Sequence, residues 1–117
     1  MDTKEAAALW VGALRSGKWQ QGQLKLRVGD AYCCLGVACA VYQQVVGGLA
    51  IRVHVAGIIS YNNRRTILPP VVQEWLGLST DEGAYEQAGT LSLDNDRGKT
   101  FQEIADIIEA RPAGLFV

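Results

Sequence analysis

Nine consecutive residues, Cys34-Leu35-Gly36-Val37-Ala38-Cys39-Ala40-Val41-Tyr42, carry no charged or amide side chain. Within and beyond this run Leu35, Ala38, Cys39, Tyr42 and Val45 recur at helical spacing. Val37, Ala40 and Val41 make the remaining faces apolar as well. A helix that is apolar all round has to be buried on every side, so the rest of the chain must wrap it. The run is far too short to cross a bilayer, and Gly47-Gly48 ends it. Gly36, without a Cβ, would let another backbone approach the helix closely.

The flanking sequence supplies the wrapping elements. Asp2 or Thr3 can cap a first helix, with Glu5 near capping-box spacing from Asp2. Ala6, Leu9, Trp10, Ala13 and Leu14 form one face, and Gly17 stops the helix. Gln23 to Val28 alternates, with Leu24, Leu26 and Val28 on one side, and predicts a half-buried strand. Gly29-Asp30 is a turn, and Ala31 to Cys33 a short return strand. Leu49–Val55 and Gly57–Tyr61 predict a hairpin around Ala56-Gly57, Asn62-Asn63 a turn, and Arg64–Leu68 a continuation of the sheet. Pro69-Pro70 opens a short helix with Val71, Val72, Trp75 and Leu76 as its buried stripe and Gly77 as its left-handed cap. Residues 79–90 and 94–99 read as loops. Thr100 and Glu103 form a capping box for a last helix with core face Phe101, Ile104, Ala105 and Ile108, ended by Pro112. This order is not a βαβ alternation. The expected class is α+β, a small single domain over 1–117 with a central apolar helix, a small antiparallel sheet and flanking amphipathic helices.

Composition bounds the function. Of the 117 residues 49% are hydrophobic, so the chain can build a core, and a net charge of −1 lacks the basic excess that tracks long nucleic acid. A small anion needs only a few cations placed locally. Cys33, Cys34 and Cys39 read as reduced, buried thiols of a cytoplasmic protein. Met1-Asp2-Thr3-Lys4-Glu5 does not read as a signal peptide. With His54 as the sole histidine, neither a zinc site nor a cofactor is expected.

The motifs with a chemical reading are incomplete. Gly98-Lys99-Thr100 resembles the end of a P-loop, but Leu93 stands where its first glycine belongs. Asp94, Asp96 and Gly98 miss the calcium-loop register, with Ala105 in place of the bidentate glutamate. A Cys34–His54 pair has no third partner in evidence, so no catalytic residue is assigned. Groups suited to gripping a ligand remain. Trp19 can stack on a planar ring while Gln20 and Gln21 read its edges. Arg27, Arg64 and Arg65 can hold phosphate. Lys99 and Thr100 stand at a helix start, where free amides attract anions.

Several segments together resemble a set of small proteins encoded by phages and prophages. They are Trp10-Val11-Gly12-Ala13-Leu14-Arg15-Ser16-Gly17-Lys18-Trp19 with Gln21-Gly22, Leu26-Arg27, and Tyr32-Cys33-Cys34-Leu35-Gly36-Val37. Leu68-Pro69-Pro70, Trp75-Leu76-Gly77-Leu78 and Gly98-Lys99-Thr100-Phe101 with Ile104-Ala105-Asp106-Ile108 continue the series. That family usually reads Leu-Asn-Asp before its last helix, whereas Asp94-Asn95-Asp96 follows Leu93 here. The resemblance implies a phage protein acting in the bacterial host cytoplasm against host defence. The expected activity is non-enzymatic sequestration of a small nucleotide-like signal, of cyclic-nucleotide or ADP-ribose type, by a homo-oligomer. The alternatives are a protein-interaction module using Leu115-Phe116-Val117 and Ile58-Ile59 against a host defence enzyme, or a cysteine-dependent enzyme centred on Cys34.

Overall fold

The apolar run becomes helix α2, Cys34–Val45, and its residues 34–42 are all buried. The computed structural model describes residues 1–86 and 89–117. Around α2 lie α1 (Thr3–Arg15), α3 (Pro70–Leu76), α4 (Leu91–Asp96) and α5 (Phe101–Ala110). A five-stranded mixed sheet lies to one side, built from β1 (Gln20–Gln21), β2 (Arg27–Val28), β3 (Ala31–Tyr32), β4 (Ile51–Val53) and β5 (Ile58–Tyr61). Its order is β1-β3-β2-β5-β4, parallel between β1 and β3 and antiparallel elsewhere. A separate ladder joins β6 (Ala84–Tyr85) to β7 (Gly89–Thr90). The class is α+β.

Local chemistry sets most boundaries. Asp2 caps α1 by accepting from the Glu5 amide at 2.8 Å, and Gly17 leaves the helix at φ 74°. The capping box at Thr100 and Glu103 is complete, and the Thr100 amide that donates to the Glu103 carboxylate holds its pKa below the ordinary value. Ala56 and Gly57 turn the β4–β5 hairpin with positive φ. Gly36 faces the backbone of Leu26: a Cβ there would stand 1.7 Å from the Leu26 carbonyl oxygen.

Several expectations need correction. The expected antiparallel sheet is mixed, because β1 runs parallel to β3, and the expected continuation over 64–68 is reduced to an isolated bridge between Tyr61 and Arg64, since the Asn62-Asn63 turn leads the chain out of the ladder. The 23–28 strand shrinks to β2, because Leu24 takes a left-handed conformation (φ 71°) and is exposed, and its amide donates to Asp96 Oδ1 at 2.8 Å. The buried face of α1 is Ala6, Ala7, Trp10, Val11 and Leu14, with Leu9 outside, because α5, α2 and α3 all press on this helix. On α3, Val72 and Leu76 are buried while Val71 is exposed. The segment 94–99 is not all loop. Its first residues end α4, which starts at Leu91 under a Thr90 cap and buries Leu91 and Asn95. Of the expected 79–90 loop, residues 87 and 88 lie outside the described residues, and β6 and β7 flank them.

Candidate ligand groove

Two of the expected ligand groups serve the fold, Gln21 through α4 and Thr100 through α5. Asn95 is fully buried, its Oδ1 accepts from the Cys34 amide (3.1 Å) and from Gln21 Nε2 (2.9 Å), and its Nδ2 donates to Gly22 O (2.8 Å). Gln21 Nε2 also donates to Lys99 O at 2.8 Å, so both of its amide hydrogens are engaged. Thr100 is the cap of α5, its hydroxyl accepting from the Glu103 amide at 3.1 Å. Gln20 and Lys99 are exposed.

The arginines divide. Arg27 lies over the Tyr32 ring (4.9 Å to its centroid), and its Nε donates to Gly29 O at 2.7 Å. Its remaining nitrogens approach Tyr61 Oη (3.4 Å) and Asp30 (3.9 Å). This guanidinium orders the sheet. Arg64 and Arg65 follow the Asn62-Asn63 turn, where both asparagines have positive φ. Arg65 lies 3.1 Å from His54 Nδ1. A guanidinium only donates, so Nδ1 accepts and Nε2 carries the proton toward Ser60 Oγ, 2.8 Å away. His54 is thus held by Arg65 and Ser60.

Trp19 is the expected site residue that borders a concavity. Its ring meets Tyr32 edge to face, with centroids 4.9 Å apart at 84°, which fixes one wall. The groove beside it has a volume of about 380 Å³ and is lined by Ala8, Leu9, Gly12, Ala13, Ser16, Lys18, Trp19 and Gln44. Small side chains of α1 open the space: nothing lies within 4 Å of a Cβ built on Gly12. The Ser16 hydroxyl donates to Ala13 O and accepts from the Lys18 amide. The Lys18 ammonium and the Gln44 amide make no side-chain hydrogen bond or ion pair among the described residues, so both can turn to a ligand. A larger depression of about 510 Å³ holds Tyr42 and Trp75, but Asp2 and Glu74 line it and would repel an anion. One of about 190 Å³ between α1 and α5 carries Lys4 and Arg111 but no aromatic wall. Sequence reasoning found Trp19 and missed Lys18, Gly12 and Gln44. The available signal was Gly12, a glycine inside a helix, where alanine is better by about 1 kcal/mol.

The thiols do not form a second site. Cys33, Cys34 and Cys39 are free and buried, and the Cys34 sulfur lies 3.5 Å from Leu91 O. Burial pushes the Cys33 thiol up to about 11 and raises those of Cys34 and Cys39 further. Native protein is therefore expected to resist iodoacetamide at pH 7.5 and to take up three equivalents once unfolded, read by intact mass. Fast native alkylation of Cys34 would revive a thiol nucleophile. Part of the surface expected for a protein partner also serves the fold, while Val117 stays exposed and Ile58 and Phe116 half-buried. Leu115 and Ile59 are buried, Leu78 bridges Phe116, and the Val117 amide donates to Gly77 O, so the tail docks on its own domain.

Among the described residues no three His, Cys, Asp or Glu side chains converge as metal ligands, and no helix is long and apolar enough to cross a membrane. No curated protein and no solved structure matches the chain. A family model described as a domain of unknown function (DUF8296) matches residues 2–112. Since that match spans nearly the whole fold, the chain belongs to the DUF8296 family.

Proposed function

We propose that this protein is a non-catalytic binding protein that captures a small nucleotide-like anion, of cyclic-nucleotide or ADP-ribose type, on behalf of a phage in its bacterial host. The observation that carries this reading is the groove in which the Trp19 ring, fixed by Tyr32, stands with Lys18 and Gln44 over a floor of small residues. A planar base fits against the indole, the ammonium neutralises phosphate, and the amide reads a polar edge. The volume falls in the range of small-ligand sites, about 300–1,000 Å³. The groove is open along α1, and a second subunit laid over it would exclude water, which suits a homo-oligomer.

Titration calorimetry against 3′,5′-cyclic AMP, cyclic di-AMP and cyclic ADP-ribose tests the reading. At least one is expected to bind saturably. Trp19→Ala should weaken that binding by about 5- to 150-fold, since stacking contributes about 1–3 kcal/mol. Lys18→Gln should flatten the salt dependence, and Arg64→Gln should leave binding unchanged. Absence of binding by all three at millimolar concentration sinks the proposal.

A further inference from the structure

The far end of the sheet carries a second surface, independent of the groove. β4 is the last strand, and its outer edge has no neighbour among the described residues. The His54 amide donates to Ile58 O (2.7 Å) and the Asn62 amide to Ala50 O (2.8 Å). The even-numbered residues of this stretch therefore direct their backbone groups at β5, and Ile51 and Val53 direct theirs outward. The side chains divide the same way. Ile51 pairs with Tyr61 and Val53 with Ile59, so both share a face of the sheet with two buried apolar side chains of β5. Yet Ile51 is 42%, Val53 75% and the adjoining Val55 85% exposed. At this edge the apolar side chains of the face run past the cover that buries Ile59 and Tyr61, while Arg27 shares the face only further in, opposite Ile59. On the opposite face are Arg52, across from Ser60, and His54 with Arg65.

Charge decides what covers this edge. Between Asp30 and Glu74 the sequence has no acidic residue, and the hairpin with its following turn carries Arg52, Arg64 and Arg65. A second copy related by a two-fold axis would bring like-charged Arg52 and Arg65 clusters together, which is unfavourable. An extended segment alternating acidic and apolar residues satisfies the free amides and carbonyls, covers Ile51 and Val53, and neutralises Arg52. We infer that the outer edge of β4 docks an extended, acidic–apolar segment of a partner protein by strand addition.

The probe is a fluorescent peptide alternating glutamate and valine, read by anisotropy with the full chain and by amide exchange. Binding is expected to protect the Ile51 and Val53 amides, whereas those of Arg52 and His54 are already directed into the ladder with β5. Arg52→Glu should weaken binding at least tenfold and switch preference to a lysine–valine peptide. Val53→Pro removes an outward N–H without touching the ladder to β5 and should abolish binding. If that variant fails to fold, methylating alternate amides of the peptide removes the same bonds from the other side. The inference is overturned by no binding at millimolar peptide, or by equal binding of a methylated or block-sequence peptide. Tighter binding of a single-stranded oligonucleotide of equal charge also overturns it, as does self-association abolished by Val53→Pro, which would make the occupant a second copy.

Discussion

Gly36→Ala is expected to destabilise the protein by about 3 kcal/mol or more, the upper end of what overpacking a core costs. The added methyl would meet the Leu26 carbonyl oxygen at 1.7 Å and its carbon at 2.7 Å. Both obstacles are backbone, and that oxygen also accepts from the Cys33 amide at 3.2 Å, just before α2 begins. No side chain can swing away, so α2 and the 24–26 segment have to separate. A loss of this size takes a large share of the roughly 5–15 kcal/mol that holds a domain folded, and should lower Tm by roughly 12–24 °C. Gly12→Ala supplies the contrast, since its Cβ enters open space on a helix and should stabilise by about 0.5–1 kcal/mol. Urea and thermal melts of both variants test the pair. Equal stability of Gly36→Ala and the parent would mean that Leu26 does not lie against α2. Gly12→Ala should also weaken the proposed ligand, because it fills the groove floor, and the two readouts then move in opposite directions.

Asn95→Ala is expected to cost about 2–4 kcal/mol. It leaves the Cys34 amide and the Gly22 carbonyl without their partner in a region closed to water. Asn95→Asp separates hydrogen bonding from volume. The carboxylate retains an acceptor for Cys34 and Gln21 but sets a second oxygen against Gly22 O, 2.8 Å from the present amide nitrogen. Burial and that carbonyl favour the protonated acid, so its folded pKa should lie above the unfolded value of about 3.9. With this sign the variant is closest to the parent below pH 4, and its deficit grows as pH rises through the folded pKa. Urea melts at pH 4 and pH 7.5, each against the parent, measure it. A deficit independent of pH would show that the position is open to solvent.

The two variants probe the features that the sequence disclosed most and least clearly. Gly36 was legible because a glycine in a helix apolar on every face has one obvious use, the approach of another backbone. Asn95 was not legible. Asp94-Asn95-Asp96 has the composition of a turn, and short polar side chains favour caps and turns over helix interiors. Its role appears only when α4 is placed against α2 and the β1–β2 connection, since its partners Gln21, Gly22 and Cys34 lie 61 to 74 residues away. The same distance explains Gln21. A glutamine in a connecting segment suits a ligand as well as a fold, and only the position of the Lys99 carbonyl decides between them.

The sequence alone determined the elements whose signals are local. These are the all-apolar α2, a first cap at Asp2 or Thr3, the Thr100 cap, the Ala56-Gly57 turn and the helix start at the Pro69-Pro70 pair. Caps, turns and periodicity act within about four residues and need no distant partner. The tertiary structure alone decided which polar groups remain available. It tied Gln21 to Asn95 and to the Lys99 carbonyl, set Arg27 on Tyr32, buried Leu115 and Ile59, and left Lys18 and Gln44 beside Trp19 and the apolar side of β4 uncovered. A side chain's availability depends on what the rest of the chain brings to it, and that is a long-range property of packing rather than of residue type.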